Sequence, residues 1–392
     1  MKKYNRICAN IDLDAIAYNM EQMKRRVGDK AKLVAVIKAD AYGHGSVPVA
    51  RMLEPIPYVW GYAVASLDEA MVLREKKIKK PILVLGCVFP DQYEDMVAQE
   101  IRAAVYTEEM VRGMSEAAIR LQKKAYVHAK IDTGMGRIGF ATDSAATRDE
   151  TVQTIAGLAA LPAVELEGIF THFARADEAK RLFTVEQYER FHFVTGELSK
   201  KGIEIPLVHC DNSAGIIAYP QYGHNLVRAG ISMYGLYPSD EVSREHVFLR
   251  PALELVSHVT FVKTVEKGTP ISYGGTFVAP RRMRVATIPV GYGDGYPRSL
   301  SGKGEVLIHG KRAPILGRVC MDQFMVDVTE ISQTASMDRV VLVGRDGDDC
   351  ISIDELGKKS GRFHYEFVCC LGRRIPRNYI KGGEIVLQND SF

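Results

Sequence analysis

The chain is short of the features that mark several large protein classes. Its seven cysteines (Cys8, Cys87, Cys210, Cys320, Cys350, Cys369 and Cys370) are odd in number and include no C-x-x-C pair. Reduced thiols in a cytoplasmic protein are therefore expected, rather than a disulfide framework or a metal site. No uninterrupted apolar run approaches the roughly 20 residues that a membrane helix needs. The opening Met1-Lys2-Lys3-Tyr4-Asn5-Arg6 has positive charge but no apolar stretch behind it, so no signal peptide is expected. An excess of one charge is also missing. With 51 basic and 48 acidic residues the net charge is +3, which gives no reason to expect a nucleic-acid or membrane partner. Internal repeats and low-complexity tracts are absent, and no G-x-G-x-x-G opens a helix.

What is present is a globular composition, 46% apolar and 25% charged, over 392 residues. At about 150 residues per domain, that length suggests two or three domains. Up to about residue 242, short apolar runs alternate with helical patterns. An early helix is capped by Asp12 and ends in Lys24-Arg25-Arg26, where cations suit the helix dipole. Eight strands are expected at Leu33–Ala39, Gly61–Ser66, Ile82–Gly86, Arg102–Thr107, Tyr126–Asp132, Leu166–His172, Leu207–Asn212 and Leu226–Ser232. Helical stretches such as Leu67–Lys77, Gln92–Gln99, Glu108–Lys123 and Val185–Lys200 separate most of them. Eight strand–helix units in this length fit a closed β/α barrel, the fold class expected here, with a doubly wound open sheet as the alternative. From 243 onward the texture changes to short alternating runs broken by glycine and proline, which reads as a mostly β C-terminal domain.

In a β/α barrel the chemistry collects at the carboxyl ends of the strands. The first strand runs Val34-Ala35-Val36-Ile37-Lys38. A charged, unpaired lysine is costly in a buried strand, so its pKa is expected to fall, and a neutral amine suits a Schiff-base nucleophile. The alternative is a strand-end lysine reaching solvent. The fifth strand leads into Lys130-Ile131-Asp132-Thr133-Gly134-Met135-Gly136-Arg137, whose glycines admit close approach of a ligand and whose arginine suits an anion. Strands six to eight end in Thr171-His172-Phe173, His209-Cys210-Asp211-Asn212-Ser213 and Arg228-Ala229-Gly230-Ile231. Taken together, these groups point to one anionic ligand at the barrel mouth.

The segment Val36-Ile37-Lys38-Ala39-Asp40-Ala41-Tyr42-Gly43-His44-Gly45 resembles the pyridoxal-phosphate attachment segment of the alanine racemases. Lys130–Gly139, Tyr273-Gly274-Gly275-Thr276, Gly291-Tyr292-Gly293-Asp294-Gly295 and Gly317-Arg318-Val319-Cys320-Met321-Asp322-Gln323 are similar to further motifs of that family, in the same order. The resemblance spans the chain and implies a pyridoxal 5'-phosphate-dependent, cytoplasmic homodimer that interconverts L- and D-alanine and supplies D-alanine for peptidoglycan. Its site would be shared between subunits, with the second base and the methionine segment coming from the partner.

By the same resemblance, Lys38 would bind the cofactor covalently and act as base on one face of the substrate, with Tyr273 as base on the other. Inversion requires a group on each side. A phenol is a weak base at neutral pH and needs a positive neighbour; the resemblance places His172 near it. Arg228 would face the ring nitrogen. Tyr42, Asn212, Ser213, Gly230, Ile231 and, more distantly, Tyr379 would hold the phosphate. Arg137, Tyr292, Met321 and Asp322 would contact substrate, and Lys130 matches a lysine often carbamylated in the family. Arg373 stands where some members have tyrosine, at a position that can narrow access; altered specificity towards serine or a longer amino acid is the alternative to alanine. Two other readings stay open. A single-barrel pyridoxal-phosphate carrier would lack the β domain. A related decarboxylase would be expected to place a carboxylate at the ring nitrogen and to use a cysteine donor, for which Cys320 is the candidate.

Overall fold

The computed structural model describes residues 2–389, which form two compact units. The first unit holds Ala15–Ala41 and Ser46–Arg250 and is the barrel. Its parallel strands are Lys32–Val36, Val59–Val64, Ile82–Val84, Arg102–Val105, Ala125–Asp132, Val164–Phe170, Leu207–His209 and Leu226–Ala229, so all eight expected strands are present. The first seven pair in sequence order, and the eighth pairs with the first through Leu226–Ala229 against Lys32–Ala35. Between the seventh and eighth strands no ladder is recorded. The Asn225 side chain replaces it, accepting from the Val208 amide (2.9 Å) and donating to Pro206 O (2.6 Å), while the Arg228 amide donates to Asp211 O (3.0 Å). The result is a nearly closed eight-stranded barrel.

The strands are buried on both faces because helices cover the outside. Leu13–Val27 ends with Lys24 donating to the carbonyls of Gly28, Asp29 and Ala31, which satisfies acceptors that a helix end leaves open. Ala145–Ala159, for which the sequence pattern suggested no element, is capped by Ser144 and buries Thr151, Val152, Ile155 and Leu158, a three-to-four-residue spacing that makes one face.

The second unit holds the described residues up to Asp14, residues Tyr42–Gly45, and the described residues from Pro251 onward. It is mostly β, as expected, but the division at 242/243 does not describe it fully. The N-terminal strand Ile7–Asp12, unforeseen in the sequence, lies inside this unit's sheet. It pairs antiparallel with Leu253–His258 and parallel with Arg377–Lys381. Its partners are some 250 and 370 residues away, so no local pattern could announce the pairing. A separate apolar cluster of Val265, Ile271, Ala279, Met283, Val285 and Leu316 supports the segment that carries Tyr273. No helix among the described residues is long and apolar enough to cross a membrane.

Candidate active site

Lys38 is half-buried at the end of the first barrel strand. The strand stops at Val36, earlier than the expected Ala39, because the chain turns left-handed: Ala39, Asp40, Ala41 and Tyr42 all have φ between 51° and 56°. A run of non-glycine residues in this region costs roughly 1–2 kcal/mol per residue and persists only when its surroundings hold it. Here the Ala39 amide donates to Glu69 Oε1 (2.7 Å), the Ser46 amide to Asp40 Oδ1 (2.7 Å) and the Ala41 amide to Ile37 O (2.8 Å). The turn releases the chain from the strand directly after the lysine.

Tyr42 and the glycines behind it belong to the other unit. Gly43 has φ +78° and Gly45 φ +95°. A Cβ on Gly45 would stand 1.9 Å from Tyr379 Oη, and one on Gly43 would stand 2.3 Å from Val368 O. The Y-G-H-G segment therefore needs its glycines for close packing, and it brings Tyr42 and the buried Tyr379 into one neighbourhood, with Arg377 Nε donating to Gly43 O (2.8 Å).

At the fifth strand, Lys130 is buried and donates to Ile131 O (2.7 Å) and Ile138 O (3.3 Å). Burial, opposed by Asp132 and reinforced by the charges of Arg228 and Arg137, pushes its amine down to about 7. The following loop is ordered by Asp132 Oδ1, which accepts from the amides of Gly134, Met135 and Gly136 (3.0, 3.0 and 3.1 Å) and leaves Arg137 exposed.

Arg228 is the centre of the barrel site. Its guanidinium is buried and donates to Thr171 O (2.9 Å), Cys210 O (2.9 Å), His209 Nδ1 (2.9 Å) and His172 Nδ1 (3.2 Å). No carboxylate is among these partners. Burial lowers it to about 10, still charged at neutral pH. Because arginine only donates, His172 accepts at Nδ1 and carries its proton on Nε2. Asn212 Nδ2 lies 3.4 Å from that nitrogen and donates to Phe173 O (3.2 Å), but an amide nitrogen only donates and so cannot accept the Nε2 proton. Burial, with Arg228, Arg137, Lys130 and Lys38 adding to it, holds the His172 imidazole well below its usual range. That one histidine thus senses four of the cations expected from sequence. Beside it, Asn212 caps the short helix Ser213–Ala218, and Ser213 Oγ accepts from the amides of Gly230 (3.0 Å) and Ser232 (3.3 Å). Its own proton remains available to donate. The neighbouring Ser232 Oγ is buried without a hydrogen-bond partner.

On the second unit, Tyr273 is 69% and Met321 53% exposed, and both line a cavity of about 600 Å³ with Ser272, Cys320, Asp322 and Gln323. Ser272 has φ +67° and ψ −179°, a conformation that glycine alone adopts easily. Its Oγ is anchored to Arg318 O (2.6 Å). The Tyr292 amide donates to Cys320 O (3.1 Å), which joins the tyrosine and methionine segments. Arg373 is exposed. Its neighbour Arg374 makes the ion pairs, 2.7 Å to Asp322 and 3.6 Å to the buried Asp294, which also pairs with Arg6 (2.8 Å).

Several functional-looking groups escaped the sequence reading. Ser232, Ser272 and Arg374 lie beside motif residues but carry no signal of their own. His128 and Glu167 sit mid-strand; the available hint was a glycine, Gly168, inside an otherwise apolar run.

Fold and site together define a two-unit β/α-barrel enzyme whose mouth carries a lysine amine and a buried guanidinium. Residues 11–238 match the family model for the N-terminal domain of alanine racemase, and residues 252–379 match the model for its C-terminal domain. The alanine racemase of Desulforamulus reducens is 43% identical over 374 residues, 95% of this chain and 99% of that one. Among solved structures, an alanine racemase of Clostridium difficile 630 has TM-score 0.93 at 39% identity and covers 99% of both chains. The alanine racemase of Bacillus anthracis with bound L-Ala-P has TM-score 0.91 at 37% identity, covering 100% of this chain and 99% of that one. The chain belongs to the alanine racemase family and is by class a racemase.

Proposed function

We propose that this chain is a pyridoxal 5'-phosphate-dependent racemase of alanine, working in the cytoplasm as a homodimer and supplying D-alanine for peptidoglycan. The observation that carries the cofactor assignment is the donor set of the barrel mouth. A strand-end amine suits the cofactor's carbonyl carbon. The Ser213 hydroxyl, committed as acceptor to two amides, and the unpartnered buried Ser232 hydroxyl suit its phosphate, together with Tyr42, Asn212, Gly230, Ile231 and Tyr379. A buried guanidinium with no carboxylate among its partners suits an unprotonated ring nitrogen. When bound, pyridoxal phosphate supplies a conjugated ring that takes up the electron pair left by Cα–H cleavage.

The residues then divide the work. Lys38 Nζ would hold the cofactor and would carry the proton on one face of Cα. Tyr273 Oη, offered by the second subunit, holds it on the other. The His172 Nε2 proton is suited to hydrogen-bond the phenol oxygen and make its deprotonated form less costly. Arg137 takes the substrate carboxylate, helped by Met321, Asp322 and Tyr292. Lys130, whose amine is neutral over much of the neutral range, is poised to react with carbon dioxide to a carbamate, releasing one proton and gaining an anion that would hold Arg137. Arg228, a donor that does not give up its proton, would face the ring nitrogen and leave it unprotonated, which would favour returning the proton over side reactions.

The test is to load the protein, reduce it with borohydride, and locate the fixed chromophore by peptide mass, while chiral chromatography follows L-alanine, L-serine and larger amino acids. A label on Lys38 and conversion of alanine above the others support the reading. A label elsewhere, no visible chromophore, or faster conversion of serine overturns the corresponding part.

A further inference from the structure

One buried polar cluster plays no part in the chemistry described so far. From Arg228, Nη1 donates to His209 Nδ1 (2.9 Å); His209 Nε2 lies 3.0 Å from His128 Nδ1; and His128 Nε2 lies 3.1 Å from Glu167 Oε2. Both histidines have no exposed surface. Glu167 is clamped by Arg102 through Nε (3.0 Å) and Nη2 (3.1 Å), and with Trp60, Tyr126 and Asn225 it lines a cavity of about 550 Å³.

Both ends of this row impose one direction. A guanidinium only donates, so His209 Nδ1 must accept and its proton sits on Nε2. A carboxylate only accepts, so His128 must donate from Nε2 and accept at Nδ1. The two assignments meet without conflict. A second proton on either ring would set two donors against each other. Burial, opposed for His128 by Glu167, keeps both imidazoles below their usual range. Space for the row is built into the strand beside it: a Cβ on Gly168 would stand 2.4 Å from His128 Nδ1. His209 lies flat against Phe170, 4.7 Å between centroids.

We propose that Glu167, His128 and His209 are positioning residues for Arg228, a one-way row of hydrogen bonds that carries the far carboxylate's negative potential to a buried guanidinium no carboxylate touches. Each lone pair faces Arg228 and each N–H faces Glu167, so the row compensates the buried charge and fixes the guanidinium plane. It cannot deliver a proton to the site, because its terminal group does not give one up. The functional side of the proposal rests on the reading of Arg228 as the group facing the cofactor ring nitrogen.

Two measurements on the full-length protein decide it. Nitrogen-15 NMR of histidine-labelled protein should show His128 and His209 as neutral Nε2–H tautomers, identified by their disappearance in His128→Gln and His209→Asn. Any other protonation pattern overturns the row itself, whatever the cofactor. In the loaded enzyme, Glu167→Gln keeps the shape and removes the charge. Its expected effect is a displaced visible absorption band and a kcat lower by roughly tenfold with KM nearly unchanged. Gly168→Ala, which drives a methyl into His128, should displace the band in the same way. Correct tautomers with an unchanged band in both variants overturn the coupling to the site. A protein that binds no carbonyl chromophore overturns the reading of Arg228, while the tautomers still decide the row.

Discussion

The barrel mouth and the Tyr273 face of the second unit are built on opposite plans. In the barrel, Arg228, His172, Lys130 and Ser213 are fixed by hydrogen bonds from their own and neighbouring strands, and most of their polar atoms are spent inside the fold. On the second unit Tyr273 and Met321 are exposed, and Ser272 is held in a backbone conformation that a side chain disfavours. One region confines charge by burial; the other presents groups outward and maintains their posture with local strain. The proposed two-base reading would use such a division, because a seat for a cofactor and a base that approaches from outside would place different demands on the scaffold.

The largest expected effects separate the two plans by chemistry. Lys38→Ala should abolish both racemisation and exchange of the alanine α-proton with deuterated solvent. Tyr273→Phe should reduce racemisation by roughly a thousandfold yet leave exchange on one enantiomer, followed by proton NMR. Equal loss of both activities in the two variants would erase the assignment of one base to each region.

The next effect concerns burial. Glu167 is desolvated, but hydrogen bonds from His128 and Arg102 hold it down to about 2, below the usual carboxylate range. A carboxylate lowered on folding contributes fully above the unfolded value and loses that contribution as pH falls through the folded one. Acid unfolding of the wild type between about pH 4.5 and 2 should therefore cost up to ~3 kcal/mol that Glu167→Gln does not lose, so the variant's stability should change less across that window. Denaturant midpoints at several pH values check this. Parallel profiles would remove Glu167 from the barrel's electrostatic frame.

The smallest effect probes strain. At position 272, glycine should be more stable than alanine by ~1 kcal/mol, because both lose the hydroxyl bond to Arg318 O but only glycine accepts φ +67° freely. Thermal unfolding of Ser272→Gly and Ser272→Ala measures the difference. The reverse order would mean that the second unit's posture is not strained.

Much of this architecture was legible beforehand. The eight barrel strands are continuous apolar runs, and the order of Lys38, Arg137, His172, Ser213 and Arg228 at strand ends follows from where those runs stop. The Tyr273, Tyr292 and Met321 segments stood out through their glycines and their family likeness. Three features did not. The strand Ile7–Asp12 depends on partners at Leu253–His258 and Arg377–Lys381. The left-handed turn after Lys38 runs through two alanines and a tyrosine, which do not favour it, with only Asp40 inclined to it, and is held by Glu69 from a later helix. The row behind Arg228 joins strands five, six, seven and eight, and of its residues only His209 stood at an expected strand end, while His128 and Glu167 gave no signal.

The order of residues alone therefore determined which chemistry is available and on which strand end each group rides, because hydrophobic period and strand length are local properties. Tertiary structure decided which of those groups stay charged, which tautomer each histidine adopts, and how the lysine leaves its strand. Those outcomes depend on desolvation and on donors and acceptors brought in from distant segments, which exist only once the barrel has nearly closed.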